Sequence, residues 1–160
     1  MMNERLDFLK RKNEGKKRMD VYINTFVLAG LNKSELGYLD LLNSDKLIGI
    51  LNFTFLNSKK NTELLNNENY FFDSNLIREV YLSLKEDSKC YIYTDDYQYC
   101  GIFISDAKRG FENAFNIAKY DAQNTCFLLD IDLKYSFTVN YYDESHIDYP
   151  NSFDVQSYKL

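Results

Sequence analysis

The chain has one histidine, His146, in the run Asp143-Glu144-Ser145-His146-Ile147-Asp148. Imidazole and carboxylates bind divalent ions and shuttle protons, so this run is the first place to look for chemistry. A small metal-dependent hydrolase built on Asp143, Glu144, His146 and Asp148 needs these groups to converge with Asp95 or Asp130 in one cleft. No second histidine exists to complete a common transition-metal set, and the spacing is neither that of an EF-hand loop nor that of a zincin helix. A polar loop between two strands accounts for the same residues. The pairs Asp95-Asp96 and Asp130/Asp132 resemble the paired carboxylates of glycosidases and metal nucleases. Aspartate also favours turns, because its side chain bonds local backbone amides, and turns are expected at both places.

Nucleophile chemistry finds as little support. The chain has no glycine-rich phosphate loop and no G-x-S-x-G elbow. Cys90, Cys100 and Cys126 are odd in number and form no C-x-x-C pair, which argues against both a disulfide framework and a zinc site. They are expected as small core residues, with a Cys nucleophile paired to His146 as a formal alternative. We therefore expect no enzyme, no cofactor and no metal.

Surface chemistry is richer. Lys10-Arg11-Lys12 and Lys16-Lys17-Arg18 could grip phosphates, but no aromatic residues interleave them and the rest of the chain is acidic. A solvated helix face is the simpler reading, and no nucleic-acid partner is expected. Around Asp95 and Asp96, by contrast, Tyr91, Tyr93, Tyr97 and Tyr99 alternate as one face of a hairpin. Tyrosine supplies stiff amphipathic contact area, and flanking carboxylates favour a basic partner. The expected partner-binding residues are Tyr93, Asp95, Asp96, Tyr97 and Tyr99, joined by Asp143, Glu144 and Asp148. The competing reading packs the tyrosine face beneath a helix.

A chain of 160 residues, 45% of them hydrophobic, with 14 Tyr, 12 Phe, one Pro and six Gly, fits one globular domain over 1–160. The net charge of −5 is uneven: residues 1–18 carry +4 and residues 86–160 carry −7. An acidic body repels nucleic acid and steers a basic partner inward. The charged start lacks an export signal, and no stretch approaches the roughly 20 apolar residues of a membrane span, so a cytoplasmic protein without membrane contact is expected.

Two parts must position these groups: a mainly helical one over 1–87 and a β-rich one over 88–160. Residues 3–13 form a polar helix, while 19–30 and 46–56 are apolar all round and fit helix or strand. Ser34 caps a short helix through Leu36, Leu39, Leu41 and Leu42. Residues 57–69 are expected as a loop around a short helical turn, and 74–85 as a helix capped by Asp73 or Ser74 with Leu76, Ile77, Val80, Tyr81 and Leu84 inward. Strands at 89–94 and 97–104 form a hairpin. Their even residues share the core face only if the loop is odd in length. A helix at 106–119 buries Ala107, Phe111, Ala114, Phe115 and Ala118. In strands 125–131 and 135–142 the odd residues share a face across the turn Asp132-Leu133-Lys134, and 153–157 adds a last strand. The fold is α+β: a helical N-terminal half on a mostly antiparallel sheet of four to six strands, with a β-β-α-β-β-β second half and helices on one side.

The stretches Tyr91-Ile92-Tyr93-Thr94-Asp95-Asp96-Tyr97, Gly101-Ile102-Phe103-Ile104-Ser105 and Asn140-Tyr141-Tyr142-Asp143-Glu144, in an acidic α+β chain of this size, resemble immunity proteins of bacterial contact-dependent growth inhibition and related polymorphic toxin systems. The likeness is one of general character and carries no single residue's role. It implies a cognate toxin as partner, often a basic nuclease, whose active site or substrate surface is occluded. A phage or virus inhibitor of a host defence protein would share the binding physics and differ in genomic context.

Overall fold

The computed structural model describes residues 1–56, 58–66 and 73–160. Helix α1 runs unbroken over Met2–Ala29, so its polar start and the undecided segment at 19–30 are one element. It stops at Gly30, whose φ of 117° lies in the left-handed region. The amides of Gly30 and Leu31 then turn back onto the carbonyls of Val27 and Phe26, at 3.1 and 3.0 Å. Midway, Gly15 allows a close approach of backbones. A Cβ there would lie 2.0 Å from the Tyr99 carbonyl oxygen.

The next elements correct the sequence reading. Ser34 caps no helix; it lies inside a single 3-10 turn, Lys33–Glu35, capped by Asn32. Strand β1 (Gly37–Leu39) follows. Asp40 then accepts the Asn43 amide at 2.9 Å and starts α2 (Leu41–Phe55), so the undecided segment 46–56 is helix up to its cap at Leu56. Residues 59–65, expected in a loop, form edge strand β2 (Lys59–Leu65). Its composition gives no apolar alternation, and its extended form comes from pairing with a neighbour. The rest of that expected loop, at 57 and 67–69, lies outside the described residues. Helix α3 (Asn75–Ser83) begins as expected, with Ser74 Oγ accepting the Ile77 amide at 3.1 Å. The Ser74 hydroxyl in turn donates to Glu63 of β2 at 2.7 Å.

Strands β3 (Lys89–Tyr93), β4 (Ile102–Asp106), β5 (Thr125–Asp130), β6 (Tyr135–Tyr142) and β7 (Ser152–Lys159) complete the sheet. A one-turn helix α4 (Tyr97–Cys100) joins β3 to β4, and α5 (Ala107–Tyr120) follows β4. Among the described residues the sheet has seven strands, antiparallel throughout, in the order β1-β4-β3-β5-β6-β7-β2. The number exceeds the expected four to six because the helical half contributes two edge strands.

Both hairpins miss the expected register, the second by one residue and the first by more, because residues 97–101, expected as strand, form α4 and its glycine end. Ile92 faces Phe103, and Leu128 faces Phe137, so even residues oppose odd ones. The physical cause is that β3, β4 and β5 are covered on both faces. Apolar residues then occupy both parities, and alternation no longer marks the inner side. On the first face Cys90, Ile92, Phe103, Leu128, Phe137, Val139, Phe153 and Val155 meet Tyr22 and Phe26 of α1, Ile77 of α3, and Phe111 and Phe115 of α5. All three cysteines are buried and free, as expected. On the second face Tyr93, Ile102 and Leu129 meet Leu47 and Leu51 of α2. Helices therefore lie on both sides of the sheet, not on one.

Candidate functional site

Helix α2 crosses the second face from β1 toward β7, where Phe55 meets Tyr158 edge to face at 4.6 Å. The start of β5 and the open sides of β6 and β7 stay uncovered by it. There a groove of about 650 Å³ opens. One wall is α2, through Ile48, Leu51, Asn52 and Phe55, and the other is Tyr93, Asp95 and Tyr97. The floor is the second face of the sheet: Thr125 and Phe127 of β5, Ser136, Thr138 and Asn140 of β6, and Gln156 and Tyr158 of β7.

The floor is polar, and several of its polar groups bond one another. Thr125 donates to Asn140 at 3.4 Å, and Asn140 and Gln156 both donate to the buried Asp154, at 3.2 and 2.7 Å. The wall is aromatic. Tyr93 stacks on Phe127 at 5.0 Å and meets Tyr97 edge to face at 5.2 Å.

Asp95 stands in this aromatic corner half-buried, and its carboxylate has no hydrogen bond or ion pair among the described residues. Its pKa is raised, first by burial and then by the negative charges of Asp121 and Asp96. Asp121, at the end of α5, is buried and also raised, although the neighbouring Thr94 hydroxyl and the Thr125 and Gln123 amides oppose that shift. Burial and the Asp95 charge raise Tyr97 as well.

The expected site residues divide into three groups. Tyr93, Asp95 and Tyr97 meet in the groove. Asp96 and Tyr99 face the opposite way, toward α1. There Arg18 donates to Asp96 at 3.1 Å and lies over the Tyr99 ring at 4.3 Å. The four tyrosines do not form one face: Tyr91 and Tyr93 pack under α2, while Tyr99 packs against the main core. Asp143, Glu144 and Asp148 belong to the loop after β6. Asp143, Asp148 and His146 line a separate hollow of about 470 Å³. Asp143 accepts from the Ser145 hydroxyl and amide, which lowers its pKa and fixes the loop. His146 packs against Tyr142 at 4.6 Å, and its Nδ1 accepts the Tyr149 amide at 3.0 Å. Glu144 and Asp148 are exposed.

A metal-dependent hydrolase would draw on the His146 loop together with Asp95 or Asp130. Among the described residues no three of His, Cys, Asp and Glu gather closely enough to hold a metal ion. Asp130 ends β5 and accepts the Lys134 amide at 3.0 Å, as a turn residue does. It lies one strand length, about 17 Å, from the end that carries Asp95 and the His146 loop. Burial pushes the Cys90 and Cys100 thiols up to about 12 and about 11, and it raises Cys126 well above the ordinary thiol value. They are protonated at neutral pH, which is the inert form of a buried thiol.

The floor and the α2 wall escaped the sequence reading. One signal was present: Ser136, Thr138 and Asn140 alternate with apolar residues on β6, as Asp154 and Gln156 do with Phe153 and Val155 on β7. That pattern marks one uncovered side of the sheet.

The chain matches no family model, no curated protein and no solved structure. Among the described residues no helix is long and apolar enough to cross a membrane.

Proposed function

We propose that the chain is a toxin-neutralising immunity protein, which binds a cognate toxin domain and blocks its active site or substrate surface. The observation that carries this reading is Asp95: a half-buried carboxylate, unpaired among the described residues, on the aromatic wall of an open groove in a chain of net charge −5. Leaving such a group unpaired costs stability, and a cation brought by a partner offsets that cost on binding. An open groove with aromatic and amide surfaces suits a protein segment, and the acidic body accelerates the encounter with a basic nuclease. Occlusion needs no chemistry of the inhibitor's own.

Co-expression tests the reading. The chain is produced together with the C-terminal domain encoded by the gene immediately upstream. The proposal expects restored growth and a stable one-to-one complex on gel filtration. Unrelieved toxicity with no complex, or an upstream gene that encodes no toxin, would reject it. A gene lying among phage genes would point instead to an inhibitor of a host defence protein.

A further inference from the structure

The segment Asp95-Asp96-Tyr97-Gln98-Tyr99 presents two carboxylates and two tyrosines to opposite sides of the loop. On the α1 side the chain itself shows what such a pair holds. The Arg18 guanidinium donates to Asp96 at 3.1 Å and lies over the Tyr99 ring at 4.3 Å. On the groove side Asp95 and Tyr97 offer the same two groups, with Phe127 as a further ring beside the buried Tyr93, and a cation close by is already engaged. Arg11, close to Tyr97, gives both terminal nitrogens to Asp45, at 3.1 and 2.7 Å, and also bonds the Gln98 carbonyl.

We infer that the Asp95–Tyr93–Tyr97 corner is a receptor for an arginine side chain of the partner protein. The guanidinium would sit against the Asp95 carboxylate with its plane over an aromatic ring, and the arginine stem would lie along Phe127. This assignment rests on the protein-binding reading above and names the partner's contacting group. Guanidinium fits better than ammonium because it is flat, stacks on rings and meets a carboxylate through two N–H groups. Asp121 and Asp96 behind Asp95 add negative potential at the same place. The floor amides of Asn140 and Gln156 are already committed to Asp154, so the floor supplies shape while Asp95 supplies the charge.

The test uses the isolated protein and two probes, N-acetyl-arginine methylamide and its neutral isostere N-acetyl-citrulline methylamide, followed by NMR. The arginine probe is expected to bind with a Kd on the order of 10–100 mM and to move the ring resonances of Tyr93, Tyr97 and Phe127. It should also lower the titration midpoint of the Asp95 carboxyl. The Asp95→Asn variant should weaken the response about tenfold, and Asp87→Asn, at an exposed carboxylate outside the groove, should leave it unchanged. An equal response to citrulline, a response outside the groove, or one that survives Asp95→Asn would overturn the assignment. Failure of the wild-type chain to protect cells would remove the immunity reading alone, since the arginine–citrulline difference is read without any toxin. Protection by Asp95→Ala equal to that of the wild type would overturn the arginine contact while leaving immunity intact.

Discussion

The Arg18 guanidinium reaches the Asp96 carboxylate at 3.1 Å and so ties the middle of α1 to the loop that ends β3. The same guanidinium bonds Glu14 one helical turn earlier at 3.0 Å. Arg18→Ala and Asp96→Ala should each lower the melting temperature. In the double variant the losses should be less than additive, because both singles break the same contact. Thermal unfolding of the four proteins in this cycle checks it, and strict additivity would show that the two residues act separately.

Asp95 next door behaves in the opposite sense. Its pKa is raised in the folded chain, so the folded state disfavours the charged form. The penalty is absent below the ordinary carboxylate range. It grows as pH rises from the unfolded value through the raised folded one, and it is complete above that. Asp95→Asn should therefore raise the melting temperature at neutral pH, with the gain vanishing at about pH 3, below the carboxylate range. A gain independent of pH would mean that packing, not charge, separates the two proteins.

Gly15 gives a test whose sign is unusual. Glycine to alanine inside an exposed helix normally stabilises by about 1 kcal/mol. Here the added methyl would meet the Tyr99 carbonyl oxygen at 2.0 Å and push α1 away from α4. Gly15→Ala should instead destabilise by about 1–3 kcal/mol, as overpacking does. Urea unfolding measures it, and the shift should appear without a change in slope.

What the sequence made legible follows where each side chain sees one environment. Helix α5 was plain because Phe111, Ala114, Phe115 and Ala118 face the sheet while Lys108, Glu112, Asn113 and Asn116 face away. Helix α3 was plain for the same reason. The registers of both hairpins were misread because Tyr91, Tyr93, Phe127 and Leu129 are apolar on the side that α2 covers. Nothing local shows that α2 lies there. Strand β2 was missed because it is polar and owes its form to β7. Of the residues that line the groove, Tyr93, Asp95 and Tyr97 stand out in the sequence as tyrosines beside a carboxylate. Asp96 and Tyr99, expected on the same face, turn toward α1 instead, because their partner Arg18, 78 residues before Asp96 in sequence, is brought near only by the fold.

Tyr22 tests the main core. Its buried hydroxyl donates to the Gly101 carbonyl at 3.0 Å, and its ring stacks on Phe103 at 5.1 Å. Tyr22→Phe keeps the ring and leaves the carbonyl without that donor. The expected loss is about 1–2 kcal/mol, read from denaturant unfolding. Tyr22→Ala should cost about 3–5 kcal/mol, by analogy with other large aromatic truncations in cores.

The most direct measurement is the affinity of the toxin domain encoded immediately upstream for the wild-type chain and for Asp95→Lys, with circular dichroism confirming that both are folded. Placing a cation in the groove should weaken the complex by about 100-fold or more, as charge reversal at a desolvated contact does. The matching Glu144→Lys change on the exposed loop should weaken it about tenfold or less, chiefly through slower association. Equal affinity of the wild type and Asp95→Lys would place the toxin somewhere other than the Asp95 groove.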